Sequence, residues 1–176
     1  MYGGETRTVV RRPYKLIAAL CAFGAAALEA VSLGSSAWVT AEKFSLSLWH
    51  SCRQHTSAWL CVSALSHDWL VATLALVLTA SVLALICTIL GCVSLCRNSS
   101  QRLYKLIAAL LFFAAVLQVC ALVLYPIKFL EAPAQSSTYY EFNWGYGVAW
   151  GAVIFMIGAG VLYCINPKTE DHDYPY

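Results

Sequence analysis

The sequence predicts an all-α membrane protein, four transmembrane helices with a small sheet of strands on the extracellular side. Three observations predict it. The chain is 60% hydrophobic and only 11% charged, whereas soluble domains carry about 25% charged residues. Four stretches all but exclude charge: Leu16–Ala37 holds Glu29 alone, and Trp69–Cys96, Leu106–Ile127 and Phe142–Pro167 hold no Asp, Glu, Lys, Arg or His. Apolar runs of about 18 residues or more are membrane spans. The first loop between them alternates apolar with polar residues and carries two cysteines.

Taken in order, residues 1–15 form a cytosolic N-terminus with Arg7, Arg11, Arg12 and Lys15, and residues 16–37 the first span. That span exceeds the roughly 7–15 residues of a signal-peptide core, so it is read as retained. Loop 38–68 leads to the second span at 69–96, and connection 97–103 to the third at 104–126. Pro126 is expected to end that helix, where its missing N–H does no harm. Loop 127–142, a fourth span at 143–165 and a tail at 166–176 complete the chain. The short connection region carries Arg97, Arg102 and Lys105 without an acid, while the two outer loops hold only Lys43, Arg53 and Lys128. The positive-inside rule therefore puts both termini in the cytosol. The sequon Asn98-Ser99-Ser100 then faces the cytosol and stays bare.

The heptapeptide YKLIAAL occurs at Tyr14–Leu20 and again at Tyr104–Leu110. Each copy starts a helix leaving the cytosol, with Tyr and Lys reaching back to water. Counted from these anchors at about 1.5 Å per residue, Glu29 and Gln118 both lie roughly 20 Å along their helices. A carboxylate in hydrocarbon costs on the order of 3 kcal/mol, so Glu29 should face the interior. A Glu29–Gln118 hydrogen bond, an intramembrane polar pair locking the first helix to the third, is the expectation; an ion or proton pathway is the alternative. Gly147 and Gly151, spaced as GxxxG, and the stripe Ala26, Ala30, Gly34 are expected to allow close helix approach. Trp38, Trp69, Tyr125, Trp144, Tyr146 and Trp150 read as an outer aromatic belt, and Tyr14, Tyr104 and Tyr163 as inner anchors.

In the first loop Phe44, Leu46 and Leu48 alternate with Ser45, Ser47 and Trp49, the period of a strand with one buried face. Trp59–Val62 is its expected partner. Of the 8 cysteines, Cys52 and Cys61 are the two outside the spans and their inner ends. In an oxidising compartment they should form a disulfide, contributing about 2.7 kcal/mol by loop closure. The rival is a zinc site of His50, Cys52, His55 and Cys61, with irregular spacing.

Trp38, then Ser47-Leu48-Trp49, then Cys52 and Cys61 resemble the Trp…Gly-Leu-Trp…Cys…Cys signature of the claudin and peripheral myelin protein superfamily. The resemblance covers essentially the whole chain. It implies a left-handed four-helix bundle topped by a small extracellular antiparallel β-sheet, with Trp38, Leu48 and Trp49 as the family motif. The stretches AWVTAEKFSLSLWHSCR, LQVCALVLYPIKF and YYEFNWGYGVAWG are similar to junctional members of that superfamily. They imply a plasma-membrane protein at cell–cell junctions, organising adherens and tight junctions through loop contacts and cytosolic scaffold or kinase partners. An auxiliary channel or receptor subunit, or a claudin-type paracellular barrier or pore component, is the alternative. Ser47 departs from the signature, and loop charges Lys43 and Arg53 offset Glu42 and Asp68, which speaks against a charge-selective pore.

Cys92, Cys96 and Cys164 lie at inner helix ends, the setting for S-palmitoylation. Tyr174 and Tyr176 in the acidic tail are candidates for phosphorylation or for partner binding through the C-terminus. No Walker loop, GxGxxG turn, HExxH or CxxC pair is present, so neither an enzyme nor a cofactor is expected. Expected partners are membrane lipids, junctional membrane proteins and a second copy of the chain, not nucleic acid.

Overall fold

A computed structural model describes residues 14–56, 58–96, 101–131 and 139–165. The chain runs α1 (Tyr14–Leu33), β1 (Val39–Ala41), β2 (Phe44–Leu46), β3 (His50–His55), β4 (Ala58–Ser63), a single 3-10 turn, α2 (Asp68–Cys96), α3 (Gln101–Glu131), β5 (Tyr140–Phe142) and α4 (Trp144–Cys164). All four α-helices are long and apolar enough to cross a membrane. This is a multi-pass membrane protein with a small antiparallel sheet at one end.

Around the bundle α1 packs against α4 and α2, and α3 against α2 and α4, which leaves α1 and α3 diagonally opposed. The inward face of α1 is small: Ala18, Ala22, Ala25, Glu29 and Ser32 recur every three or four residues and are all buried. Leu20, Phe23 and Val31 point outward and stay exposed. That arrangement suits lipid, which is as apolar as Leu, so close backbone packing rather than burial of bulk holds helices together. Mid-bundle, Ala25, Ala80, Ala84, Ala114, Ala115 and Ala152 surround Met156.

The expected small-residue contacts are displaced. Ala30 is exposed, Gly147 has open space around it, and Gly151 meets only Leu28. Four-residue spacing marks several faces of a helix equally; the neighbour's side chain decides which is used. The tight places are Gly24 against Phe155, Gly160 against Phe112, Gly91 against Tyr163, and Gly145. A Cβ on Gly145 would collide with the Ser35 hydroxyl and lie 2.6 Å from Ser35 Cβ and 3.0 Å from Ala37 O. Gly145→Ala should therefore destabilise by about 1–3 kcal/mol, as overpacking does, read as a lower unfolding midpoint in detergent.

Pro126 does not end α3, which continues to Glu131. Proline removes the N–H that would bond the carbonyl four residues back, here Leu122. The Tyr146 hydroxyl of α4 donates to Leu122 O at 2.9 Å instead. A phenol from the neighbouring helix thus replaces the missing backbone donor and lets the helix run on. Tyr146→Phe should cost about 1–3 kcal/mol by orphaning that carbonyl, whereas the same change in a Pro126→Ala background should cost less; a double-mutant unfolding cycle reads the difference. Aligned on the YKLIAAL repeat, the level at which α1 ends falls near Val123, so α3 overshoots by roughly 12 Å. Tyr125 and Phe129, both buried, sit on that extension beneath the sheet.

At the opposite end the two heptapeptides meet. Lys15 Nζ of the first lies 4.9 Å from the Tyr104 ring centroid of the second, a cation–π contact, and Tyr104 stacks on Tyr163 with centroids 6.1 Å apart. Tyr104 and Tyr163 are buried packing residues, not the interfacial anchors expected of them. Residues 1–13, the Asn98 sequon, Arg97 and the tail tyrosines Tyr174 and Tyr176 lie outside the described residues.

The sheet order is β4-β3-β2-β1-β5. Trp59–Val62 does form a strand, but it pairs with β3, not with the Phe44–Leu46 strand. The fifth strand comes from the loop before α4 and pairs with β1.

Candidate functional site, the sheet cap

Trp38 is the node on which the cap is assembled. Its N–H donates to Leu46 O at 2.7 Å and its carbonyl accepts from Asn143 N at 2.8 Å, so the backbone of one residue joins β2 to the start of α4. The indole is fully buried. It lies 5.0 Å from the Tyr125 ring and 5.8 Å from Tyr146, and Nε1 donates to Ser32 O at 3.1 Å. Trp38 and Tyr125 are thus core of the cap, not members of an aromatic belt; Trp144 and Trp150 remain on the surface.

The other two motif residues divide the work. Leu48 is fully buried beneath the sheet. Trp49 stays partly exposed and donates from Nε1 to Leu33 O at 2.8 Å, satisfying one of the carbonyls that a helix end leaves free. Ser47, the departure from the motif, accepts from Trp49 N at 3.2 Å and His50 N at 2.9 Å. A serine hydroxyl holds this turn closed through its own hydrogen bonds.

Cys52 and Cys61 are bonded to each other and face one another directly across the β3–β4 pair. Both sulfurs that a zinc site would have used are consumed.

Side chains in register on paired strands share a face. One row runs Tyr140, Ala41, Phe44, Arg53, Leu60 across all five strands, and the next runs Phe142, Val39, Leu46, Ser51, Val62. This face rests on the bundle where the helices reach it. Val39 and Leu46 are buried, and Phe129 of α3 packs on Phe44 at 6.4 Å and Tyr140 at 5.4 Å. Toward β4 the helices fall away, and Leu60 and Val62 of the same face are 59% and 60% exposed. The hairpin overhangs the bundle, leaving a groove of about 580 Å³ that includes Lys43, Arg53, Leu60 and Phe129 in its walls. The opposite face carries the cystine and Trp59, 52% exposed. Every residue of β4 is exposed, and β4 is the sheet's edge.

The intramembrane pair is arranged otherwise than expected. Glu29 and Gln118 are both buried, but Glu29 Oε2 accepts from the Ser81 hydroxyl of α2 at 3.1 Å. Glu29 Oε1 and both amide atoms of Gln118 have no hydrogen-bond partner among the described residues. Counting from the repeat carries no information on azimuth, and the two residues stand on diagonal helices. A detergent-unfolding cycle should give a coupling of about 0.5–3 kcal/mol for Glu29→Ala with Ser81→Ala, and additivity within about 0.5 kcal/mol for Glu29→Ala with Gln118→Ala. Ser81 was missed because hydroxyls in a span commonly bond their own helix, as Ser81 also does to Val77 O at 2.8 Å. At the end opposite the sheet, Cys92, Cys96 and Cys164 are exposed free thiols.

The sequence profile of the PMP-22/EMP/MP20/Claudin family matches residues 15–163. The p53 apoptosis effector related to PMP-22 from Danio rerio is 33% identical over 138 residues, covering 77% of this chain and 74% of that relative. Epithelial membrane protein 3 from Rattus norvegicus is 28% identical over 153 residues, covering 81% of this chain and 89% of that relative.

Proposed function

The chain belongs to the PMP-22/EMP/MP20/claudin family, and from that premise we propose that it is a non-enzymatic plasma-membrane protein that organises cell–cell junctions, adherens or tight, with the sheet outside the cell and both termini in the cytosol. The observation that carries this reading is β4. A strand exposed at all six positions and lying at the sheet's edge offers unpaired backbone N–H and C=O groups to another strand, and the cystine stiffens it for that purpose. Trp59 beside it supplies an aromatic anchor of the kind that dominates protein contacts. On the other side of the membrane, scaffold or kinase partners engage the tail around Tyr174 and Tyr176, and acyl chains on Cys92, Cys96 and Cys164 hold that end in the inner leaflet.

Mixed cultures of expressing and non-expressing epithelial cells test the proposal. The protein should concentrate only at contacts between two expressing cells, and Trp59→Ser should abolish that concentration while surface delivery persists. Equal accumulation at contacts with non-expressing cells would refute it, and co-purification with a single large channel would favour an auxiliary-subunit role instead.

A further inference from the structure

We propose that the underside of the β3–β4 overhang holds a phospholipid of the leaflet it faces, with the phosphate on Arg53 and Lys43 and the glycerol and upper chain against Leu60, Val62 and Phe129. The placement follows from strand register. Arg53 and Leu60 are in row with Phe44, and Val62 with Leu46. Phe44 packs on Phe129 of α3 and Leu46 is in the core, so this row faces the bundle side and not outward to solvent. Leu60 and Val62 nonetheless stay 59% and 60% exposed. Two aliphatic side chains turned toward the membrane and left uncovered by the protein's own helices are matched by lipid.

Depth agrees. Phe129 Cα lies about 9 Å beyond the level at which α1 ends, just past a headgroup layer of about 5–8 Å, and a helical side chain leans back toward its helix N-terminus, here toward that layer. Charge agrees as well. Among the described residues Lys43, Arg53 and His55 line the groove and no Asp or Glu does. The Arg53 guanidinium lies over the Phe44 ring, 5.4 Å from its centroid, and makes no ion pair or hydrogen bond with any described residue. An arginine held by its flat face, with its N–H edge free, is prepared for bidentate contact with phosphate. An acidic peptide would answer the charge but would leave the membrane-facing aliphatics unexplained.

Native mass spectrometry of the full-length protein, delipidated in dodecyl maltoside, tests the site. Dioleoylphosphatidylglycerol should be retained with a stoichiometry of one, dioleoylglycerol with the same chains but no phosphate should bind about tenfold more weakly, and equimolar inorganic phosphate should not displace the lipid. Lys43→Gln with Arg53→Gln should weaken retention about tenfold, and Leu60→Ser with Val62→Ser should weaken it too, each with an unchanged unfolding temperature in lipid-free detergent. Equal binding of dioleoylglycerol, full displacement by inorganic phosphate or by an acidic peptide, or unaltered retention by the charge-neutral double variant would overturn the proposal. If either double variant fails to fold, the competitor series on the wild-type protein decides alone.

Discussion

Trp38→Ala is expected to destabilise the protein by about 3–5 kcal/mol, the range for removing a fully buried tryptophan. The indole is the shared surface of Tyr125 from α3 and Tyr146 from α4, so its loss opens a cavity that no single neighbour can close. The deletion also frees Ser32 O, to which Nε1 donates. Trp38→Phe separates the two contributions: it keeps most of the ring and should recover all but about 1–2 kcal/mol. Equilibrium unfolding in mild detergent, followed by tryptophan fluorescence, measures both. Helicity should survive at denaturant concentrations where the cap has already become protease-sensitive, because the bundle's alanine layers lie far from the lost ring. A midpoint equal to wild type would mean that Trp38 is not in the core.

Cys52→Ser, or Cys61→Ser, should cost about 2.7 kcal/mol through lost loop closure. Because the pair clasps a hairpin whose outer strand is exposed along its whole length, no compensating core is available there. Reductant should lower the stability of the wild-type protein by the same amount and leave the double-serine variant unchanged. A chelator should do nothing to either. The loss should appear first as proteolysis within residues 50–63, before any helix unfolds.

How much of this was legible from residues alone follows a physical division. The spans were, because exclusion of charge from hydrocarbon is a one-dimensional property of the chain. The cystine was, because topology places the other cysteines in or next to lipid. Azimuth was not: Glu29 and Gln118 are both buried, yet their partners depend on which helices adjoin, and α1 meets α2 rather than α3 at Ser81. Trp38 and Tyr125 look like belt residues from their position near a span's end, but the sheet folds over them and converts that level into interior. Pro126 looks like a stop signal because its rescue comes from Tyr146, 20 positions on and in another helix. β5 has three residues and no room for an alternating pattern; only pairing with β1 defines it. Tyr14 of the first repeat opens α1, whereas Tyr104 of the second lies three residues inside α3, which begins at Gln101; the reach of Lys15 across to Tyr104 is a tertiary fact with no local signature.

The unequal helix lengths carry a mechanical consequence. α1 and α4, with 20 and 21 residues, measure about 30 Å and have no slack against a typical hydrocarbon slab, while α2 and α3 have several turns to spare. Hydrophobic mismatch in a swollen bilayer is therefore borne by the short pair, which must straighten or thin its surroundings at a cost of fractions of a kcal/mol per ångström. Since α1 ends five residues before Trp38 and the Trp38 carbonyl accepts from Asn143 at the head of α4, strain on those two helices is delivered to the residue on which the cap is assembled.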